Sequence, residues 1–169
     1  GVVGGVFGST GAATVSGAGS IWASSDNLYV GYWGSGTLTI ADGGSVGAGS
    51  LSLAVDSTST GTINIGGAVG NPLRAAGTLD AATVEFRNGA ATLNFNHSGA
   101  ATFAAALATT GAGTHALNHY AGDTTLTGDS TTFTGTTTVS GGSLTVANAL
   151  GGAAFVTGGS LAVDGAFGG

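Results

Sequence analysis

Three histidines are the side chains of this 169-residue chain whose spacing comes closest to that of a metal site. His115 and His119 are four positions apart, and His97 lies upstream. On a helix that spacing could bind a metal, but on a strand it separates the two residues by about 13 Å, too far to share an ion. Because no helical period appears around them, we expect histidines in exposed loops and no metal site.

A serine flanked by glycines is a second candidate for chemistry. Residues 43–47 match the G-x-S-x-G pattern of a nucleophile elbow, which requires a strand before the serine and a helix after it. Here the pattern follows Asp42 at a repeat junction and precedes another strand, as arises readily in a chain rich in glycine and serine. We therefore expect no serine nucleophile.

The carboxylates are scattered along the chain. The aspartates occur singly, and Glu85 is the one glutamate. No copy of the G-G-x-G-x-D calcium repeat is present, and most aspartates lie beside Gly, Ser or Asn, where their side chains cap turns. Polysaccharide-cleaving β-helices gather several carboxylates and basic residues in one groove, for which this chain is poorly supplied. We expect no catalytic residue, no cofactor and no bound metal.

The composition argues against several classes of partner. Charged residues make up 6% of the chain, the net charge is -6, and Arg74 and Arg87 are the only Lys or Arg side chains. Two isolated arginines displace few counterions, so neither nucleic acid nor an anionic membrane surface is an expected partner. Cysteine is absent, and no apolar run approaches the roughly 20 residues of a membrane-spanning helix. Methionine is absent too, as expected of a mature product or an excised piece.

Short stretches that alternate apolar and polar residues recur along the chain and predict half-buried strands. They are residues 36–40, 49–53, 61–65, 91–95, 142–146 and 159–163. Gly-Gly, Asp-Gly and Asn-Gly pairs lie between them and are expected to supply the positive φ angles of tight turns. Residues 101–108 form the only segment whose pattern does not decide between strand and helix.

Two all-β architectures use many short strands with frequent turns: an antiparallel sandwich or barrel, and a β-solenoid. The repetition of one phrase favours the solenoid, because each coil of a stack must match its neighbour. Thr, Ser and Asn recur at equivalent positions and are expected to form hydrogen-bonded ladders. At about 20 residues per coil the chain would make about eight coils. Each end would expose an unpaired strand edge.

Residues 119–152, HYAGDTTLTGDSTTFTGTTTVSGGSLTVANALGG, closely resemble the repeat along passenger domains of bacterial autotransporters, the type V secretion family. Residues 91–107 resemble the segment that often precedes it, and residues 13–48 resemble a second repeat type of such passengers. The resemblance implies a right-handed parallel β-helix. Residues 1–169 would be a single passenger fragment, with the first repeat type in 13–48 and the second in 91–152. It also implies export through the periplasm and outer membrane by a C-terminal β-barrel outside this chain.

Four aromatic residues are the side chains most open to a functional interpretation: Trp22, Tyr29, Tyr32 and Trp33. The alternation predicts Tyr29 facing outward, while Tyr32 and Trp33 lie at a turn where the family repeat usually has small or polar residues. Aromatic side chains supply large contact areas at low entropic cost, to a protein or to a sugar face. The alternative is that Trp22 packs in the first coils and the tyrosines cover a thin core. The same alternation places four aliphatic residues inside, namely Leu28, Val30, Leu38 and Ile40.

The function implied by the resemblance is contact rather than catalysis. We expect a non-enzymatic, adhesin-like or virulence-associated passenger fragment on the bacterial cell surface or released from it. Its partner would be a host or bacterial surface protein or glycan, with self-association as a further option, and the fragment itself would not insert into a membrane. Two alternatives stay open: a structural stalk that templates folding while activity lies elsewhere, and a carbohydrate-active enzyme on the same scaffold.

Overall fold

The structure, a computed structural model, describes residues 1–168 and is all-β, with no helix in that range. Accordingly, the described chain has no helical segment that could cross a membrane. The strands, in chain order, are β1 (Val2–Val3), β2 (Thr10–Ser16), β3 (Ile21–Ala23), β4 (Leu28–Val30), β5 (Ser35–Ala41), β6 (Ser45–Gly47), β7 (Leu51–Leu53), β8 (Thr60–Gly66), β9 (Arg74–Ala75), β10 (Thr78–Asp80), β11 (Thr83–Phe86), β12 (Ala90–Phe103), β13 (Ala106–Thr109), β14 (Thr114–Leu126), β15 (Asp129–Ser130), β16 (Thr136–Val139), β17 (Ser143–Val146), β18 (Ala149–Leu150), β19 (Ala153–Val156), β20 (Ser160–Val163) and β21 (Ala166–Phe167).

These strands form four sheets, and the pairs within the described chain are parallel apart from one isolated bridge between Ala41 and Ala76. The largest sheet, here called the main sheet, has ten strands and runs β19-β16-β14-β12-β8-β5-β2 along its principal path. Each strand of that path therefore pairs with the strand from the next pass of the chain. We call the stretch from one strand of the path to the next a level. This parallel stacking excludes an antiparallel sandwich and is consistent with a β-solenoid.

The levels are not uniform. Asn64 and Asn94 occupy equivalent positions 30 residues apart, whereas Ser140 and Thr157, near the C-terminal end, are 17 apart. The main path contains seven strands, fewer than the eight coils predicted from a constant length of about 20 residues. The longest level is long because residues 67–75 leave the main sheet and return through β9, which pairs with His97 and Ser98 of β12.

The core is a narrow column of inward-facing apolar side chains. Leu28, Val30, Leu38 and Ile40 are completely buried, as the alternation predicted. Aromatic rings continue the column towards the C-terminus, where Phe86 and Phe133 meet edge to face with ring centroids 4.9 Å apart. Burying side chains of this size stabilises a fold by about 1.5–3 kcal/mol each. The ambiguous segment 101–108 also joins the sheets, as the end of β12 and the start of β13.

A column of amide side chains follows the face of the main sheet opposite the core. Asn64, Asn94 and Asn118 occupy equivalent positions of β8, β12 and β14. Asn118 Nδ2 donates to Asn94 Oδ1 at 3.1 Å, and Asn94 Nδ2 donates to Asn64 Oδ1 at 3.0 Å. Asn64 Nδ2 in turn donates to Thr39 Oγ1 at 3.2 Å. The predicted ladder of hydrogen-bonding side chains is therefore confirmed for this column, which we call the amide column.

The glycine pairs have two different roles. Gly142 has a φ of 68°, so it supplies the left-handed conformation that the sequence predicts at such pairs. Gly89 is not among the residues with positive φ, and for the Asn-Gly pair at 88–89 that prediction is wrong. A Cβ at Gly89 would lie 2.6 Å from the carbonyl oxygen of Asp56, so glycine is required there by close approach of the neighbouring level.

The last level leaves inward side chains uncovered. Val156 is in register with Val139, and Phe167 is in register with Leu150. Val156 is 51% exposed and Phe167 is 39% exposed, whereas Val139 and Leu150 are buried. The difference arises because nothing in the described chain stacks on β19, β20 and β21. The sequence-based expectation of an open strand edge is thus confirmed at this end.

Candidate functional site

Three of the four predicted contact residues form one aromatic cluster, consisting of Tyr29, Tyr32 and Trp33. The rings of Tyr29 and Tyr32 lie edge to face with centroids 5.0 Å apart, and those of Tyr32 and Trp33 do so at 4.9 Å. Tyr29 alternates with inward-facing Leu28 and Val30 on β4 and is therefore held on the outside. The turn that carries Tyr32 and Trp33 begins at Gly31, whose φ of 77° redirects the chain.

The aromatic cluster continues into an apolar surface formed by the N-terminal segment. Val2, Val6 and Phe7 are 53%, 63% and 81% exposed, and Trp33 is 51% exposed. Val2, Gly5 and Val6 line a shallow open depression of about 450 Å³ together with the three aromatic side chains. We call Val2, Val6, Phe7 and the aromatic cluster the apolar patch. An exposed apolar surface of this kind commonly marks a contact site.

Polar neighbours fix one side of the aromatic cluster. The Tyr29 hydroxyl accepts a hydrogen bond from Asn27 Nδ2 at 3.2 Å, and Asn27 Oδ1 accepts one from Ser50 Oγ at 2.8 Å. The backbone of Tyr32 accepts a hydrogen bond from Asp56 N on the adjacent level. These contacts orient the tyrosines, so the cluster is a preformed surface rather than a set of free side chains.

Trp22 lies elsewhere. It belongs to β3, pairs in register with Val46 of β6, and is half-buried against the core. Its indole lies close to Gly1, where an added Cβ would be 3.1 Å from Trp22 Cζ2. The alternative prediction, that Trp22 packs in the first coils, describes its position correctly. Trp22 is therefore not a member of the aromatic cluster.

Two of the carboxylates, those of Glu85 and Asp42, bond to arginine and serine side chains. Glu85 Oε2 accepts hydrogen bonds from Ser52 Oγ at 2.9 Å and from Arg87 Nη1 at 2.8 Å. Asp42 forms a salt bridge with Arg74, and this hydrogen-bonded guanidinium is the main reason that the pKa of Asp42 is lowered. Within residues 1–168, no three His, Asp or Glu side chains are placed to hold a metal ion.

The turn-capping role predicted for the aspartates is seen at Asp56. Its Oδ1 accepts hydrogen bonds from Thr58 N at 2.9 Å and from Thr58 Oγ1 at 2.7 Å, and these bonds lower the pKa of Asp56. The G-x-S-x-G serine, Ser45, begins strand β6 and is not followed by a helix. The environment required of a nucleophile elbow is therefore missing at this serine.

The expectation of exposed loop histidines is wrong. His97 and His119 are completely buried, and His115 is 7% exposed. The cause is the period-two alternation of β14, which points His115, Leu117 and His119 to the core side together. The sequence pattern could have predicted this burial, because His115 and His119 each lie two residues from Leu117 and so share its face of the strand. The expectation of exposure came instead from the polar character of histidine.

Two of these histidines meet at one hydroxyl group. His97 Nε2 is 2.8 Å and His119 Nε2 is 2.9 Å from Thr124 Oγ1. His119 Nδ1 is 2.8 Å from the carbonyl oxygen of Gly141, whereas His97 Nδ1 is buried without a hydrogen-bond partner. Burial lowers the pKa of both imidazoles, because an interior site disfavours the charged form.

Comparison with protein-family models, with curated proteins and with solved structures gave no match.

Proposed function

We propose that this chain is a right-handed parallel β-solenoid from the passenger region of a bacterial autotransporter, with a non-catalytic contact function. The parallel pairing of successive levels supports the solenoid. The resemblance of residues 13–48 and 91–152 to two passenger repeat types supports the family and a location on, or released from, the bacterial surface. The partner in this proposal is a surface protein or glycan of a host or bacterial cell.

The observation that carries the contact function is the exposed apolar patch. Leaving Trp33 in water does not stabilise a monomeric protein, whereas burying it against a partner supplies an aromatic anchor of the kind that dominates binding energies. The edge-to-face packing with Tyr32 holds Trp33 in place before binding, so little rotamer entropy is lost on contact.

A structural stalk is the second candidate, and the amide column favours it. This column and the buried core run through successive levels irrespective of any partner, as a rigid stalk requires. No observation specifically favours a carbohydrate-active enzyme: Glu85 and Asp42 are each paired with a neighbouring arginine, and Asp56 is bonded to Thr58 in its own turn.

The test is a cell- and matrix-binding assay on the purified fragment and its Tyr32→Ser/Trp33→Ser variant. Loss of a hot spot worth 2 kcal/mol or more weakens binding by about thirtyfold or more. Phe155→Ser is the matched control, because Phe155 is an equally exposed aromatic residue, 58% accessible, near the other end of the chain. We expect the control to bind like the parent, and circular dichroism to show that all variants keep their strands.

Two results would contradict the contact function. If the parent binds neither cells nor matrix, the fragment is better described as a stalk. If the parent binds and the double variant binds equally well, the apolar patch is not the contact surface.

A further inference from the structure

A buried chain of hydrogen bonds runs along the stacking direction at one corner of the molecule. It passes from His97 to Thr124, from Thr124 to His119, and from His119 to the carbonyl of Gly141. The three side chains are at most 1% exposed. The proposed contact function does not involve them, because the apolar patch lies in the N-terminal part of the chain.

With both histidines neutral, the position of each proton in this series of hydrogen bonds follows from the Gly141 carbonyl at its end. A carbonyl oxygen only accepts, so Nδ1 of His119 must carry a proton and donate to Gly141. Neutral His119 then has a bare Nε2, which accepts the hydroxyl proton of Thr124. The hydroxyl oxygen consequently accepts from His97, which must be protonated on Nε2. This leaves Nδ1 of His97 as a lone pair, which is buried without a partner, and although the backbone groups of Ser98 and Gly99 favour protonation of the ring, burial outweighs them and lowers its pKa.

The chain of hydrogen bonds ties three levels together. His97 belongs to the level that starts with β12, His119 and Thr124 to the one that starts with β14, and Gly141 to the one that starts with β16. The pairing of β12 with β14 is irregular here, with register shifts between Phe95 and Ala100. Side-chain hydrogen bonds therefore link the levels where the backbone ladder is interrupted.

Few charged groups face the two imidazoles. Asp123, beside Thr124 on β14, is the acidic group whose charge favours protonation of both histidines. Arg74 of β9 is in register with His97, but its guanidinium is held by Asp42 and Ser16. The two histidine rings are 6.3 Å apart, so a charge on one opposes a charge on the other.

We propose that His97, Thr124, His119 and Gly141 form an acid-sensitive latch, which holds three levels together at neutral pH and releases them when the histidines are protonated. A proton on Nε2 of His119 would displace the hydroxyl proton that Thr124 donates there. A proton on Nδ1 of His97 would place a charge in the core. Both changes favour an opened corner in which the imidazoles reach water.

The direction of the effect follows from proton linkage. Because burial lowers the pKa of both histidines, the folded corner binds fewer protons than the opened chain below the ordinary histidine pKa of about 6.5. The latch is thus fully stabilising above that pH and weakens as the pH falls towards the folded-state pKa values. Each histidine contributes up to about tenfold per pH unit to the unfolding equilibrium constant, and both together contribute up to about a hundredfold.

The experiment compares urea unfolding of the parent and of the His97→Gln/His119→Asn variant between about pH 7.5 and 5, where exposed carboxylates stay ionised. Glutamine Nε2 can replace the donor that faces Thr124, and asparagine Nδ2 can replace the donor that faces Gly141. His115→Gln is the matched control, because His115 is also buried on β14 but bonds the Arg87 carbonyl outside the latch. The imidazole signals of the parent are followed by NMR over the same range.

We expect the parent and the control to lose stability steeply below about pH 6.5 and the double variant to lose much less. In the NMR titration both latch histidines should titrate below the ordinary value. Equal pH slopes for the parent and the double variant would overturn the proposal, as would a normal or raised titration point for His97 or His119. If the double variant does not fold, the NMR titration of the parent decides alone.

Discussion

Replacing Asn94 with alanine tests whether the amide column stabilises the fold. Asn94 is 5% exposed and makes one hydrogen bond as donor to Asn64 and one as acceptor from Asn118. Each bond contributes about 0.5–1.5 kcal/mol, and a buried group left without its partner costs about 1–3 kcal/mol. Asn64 is itself only 3% exposed, so its abandoned oxygen cannot readily be hydrated. We expect Asn94→Ala to lower the free energy of unfolding by about 2–4 kcal/mol.

The assay is equilibrium unfolding in urea, with the dependence on urea concentration checked for constancy so that the midpoint reports stability. Thr92→Ala is the control, because Thr92 lies two residues earlier on β12 and faces the same side, but stands outside the amide column. We expect the control to cost less than about 1 kcal/mol. The reasoning is refuted if Asn94→Ala costs no more than Thr92→Ala.

The Asn94→Asp variant adds a test with the opposite pH dependence. At neutral pH its carboxylate would face Asn64 Oδ1, an acceptor, and one hydrogen bond would be replaced by repulsion. Protonation restores a donor, so the folded-state pKa of the new carboxyl should exceed its unfolded value of about 3.9. Relative to the parent, this variant should therefore regain stability as the pH falls through its raised pKa. Unfolding measured at neutral and acidic pH would show no such recovery if the amide column were a passive surface.

Two further predictions concern the core and the surface charges. Phe133 is completely buried against Phe86, so Phe133→Ala should lower the free energy of unfolding in urea by about 3–5 kcal/mol. Phe155 is exposed, so Phe155→Ala should change it by no more than about 0.5 kcal/mol. Equal losses of stability in the two variants would contradict the assigned core. Arg74→Gln should raise the pKa of Asp42, measured by carboxyl NMR, because the guanidinium is the main cause of its lowered value. The stability that Asp42 contributes is present above a pH of about 3.8 and is lost as the pH falls through its folded-state pKa, and this contribution should be smaller in the variant. An unchanged Asp42 titration would exclude this pairing in solution.

Local alternation predicted much of the fold because it depends on neighbours in sequence. The inward positions of Leu28, Val30, Leu38 and Ile40 follow from period two alone, and all four are buried. The recurrence of Thr, Ser and Asn at equivalent strand positions likewise predicted hydrogen-bonded ladders, and the amide column is one of them. Such features need only the side-chain alternation of a strand and the requirement that stacked strands match.

Features that depend on the path between strands were not predictable in the same way. Residues 67–75 lengthen one level, and no periodic signal marks where such a segment leaves the sheet and returns. The meeting of His97 with His119 depends on that kind of path, because it needs the irregular corner between Phe95 and Ala100. The aromatic cluster was partly predictable, since Tyr29, Tyr32 and Trp33 are close in sequence, whereas Trp22 needed the pairing of β3 with β6 to place it.

The amide column also carries an electric dipole along its length. From Asn118 to Thr39, each Nδ2 donates one hydrogen bond towards the N-terminal levels, so the amide dipoles add rather than cancel. Along each strand successive peptide groups point alternately to the level above and to the level below, so the backbone dipoles largely cancel in the stacking direction, which leaves this row as an aligned contribution along its length. The amide column thus has its positive end towards the N-terminal levels, whereas the hydrogen bonds from His97 to Gly141 donate towards the C-terminal levels, so a chain with few ionised side chains carries two opposed rows of dipoles in its uncharged groups.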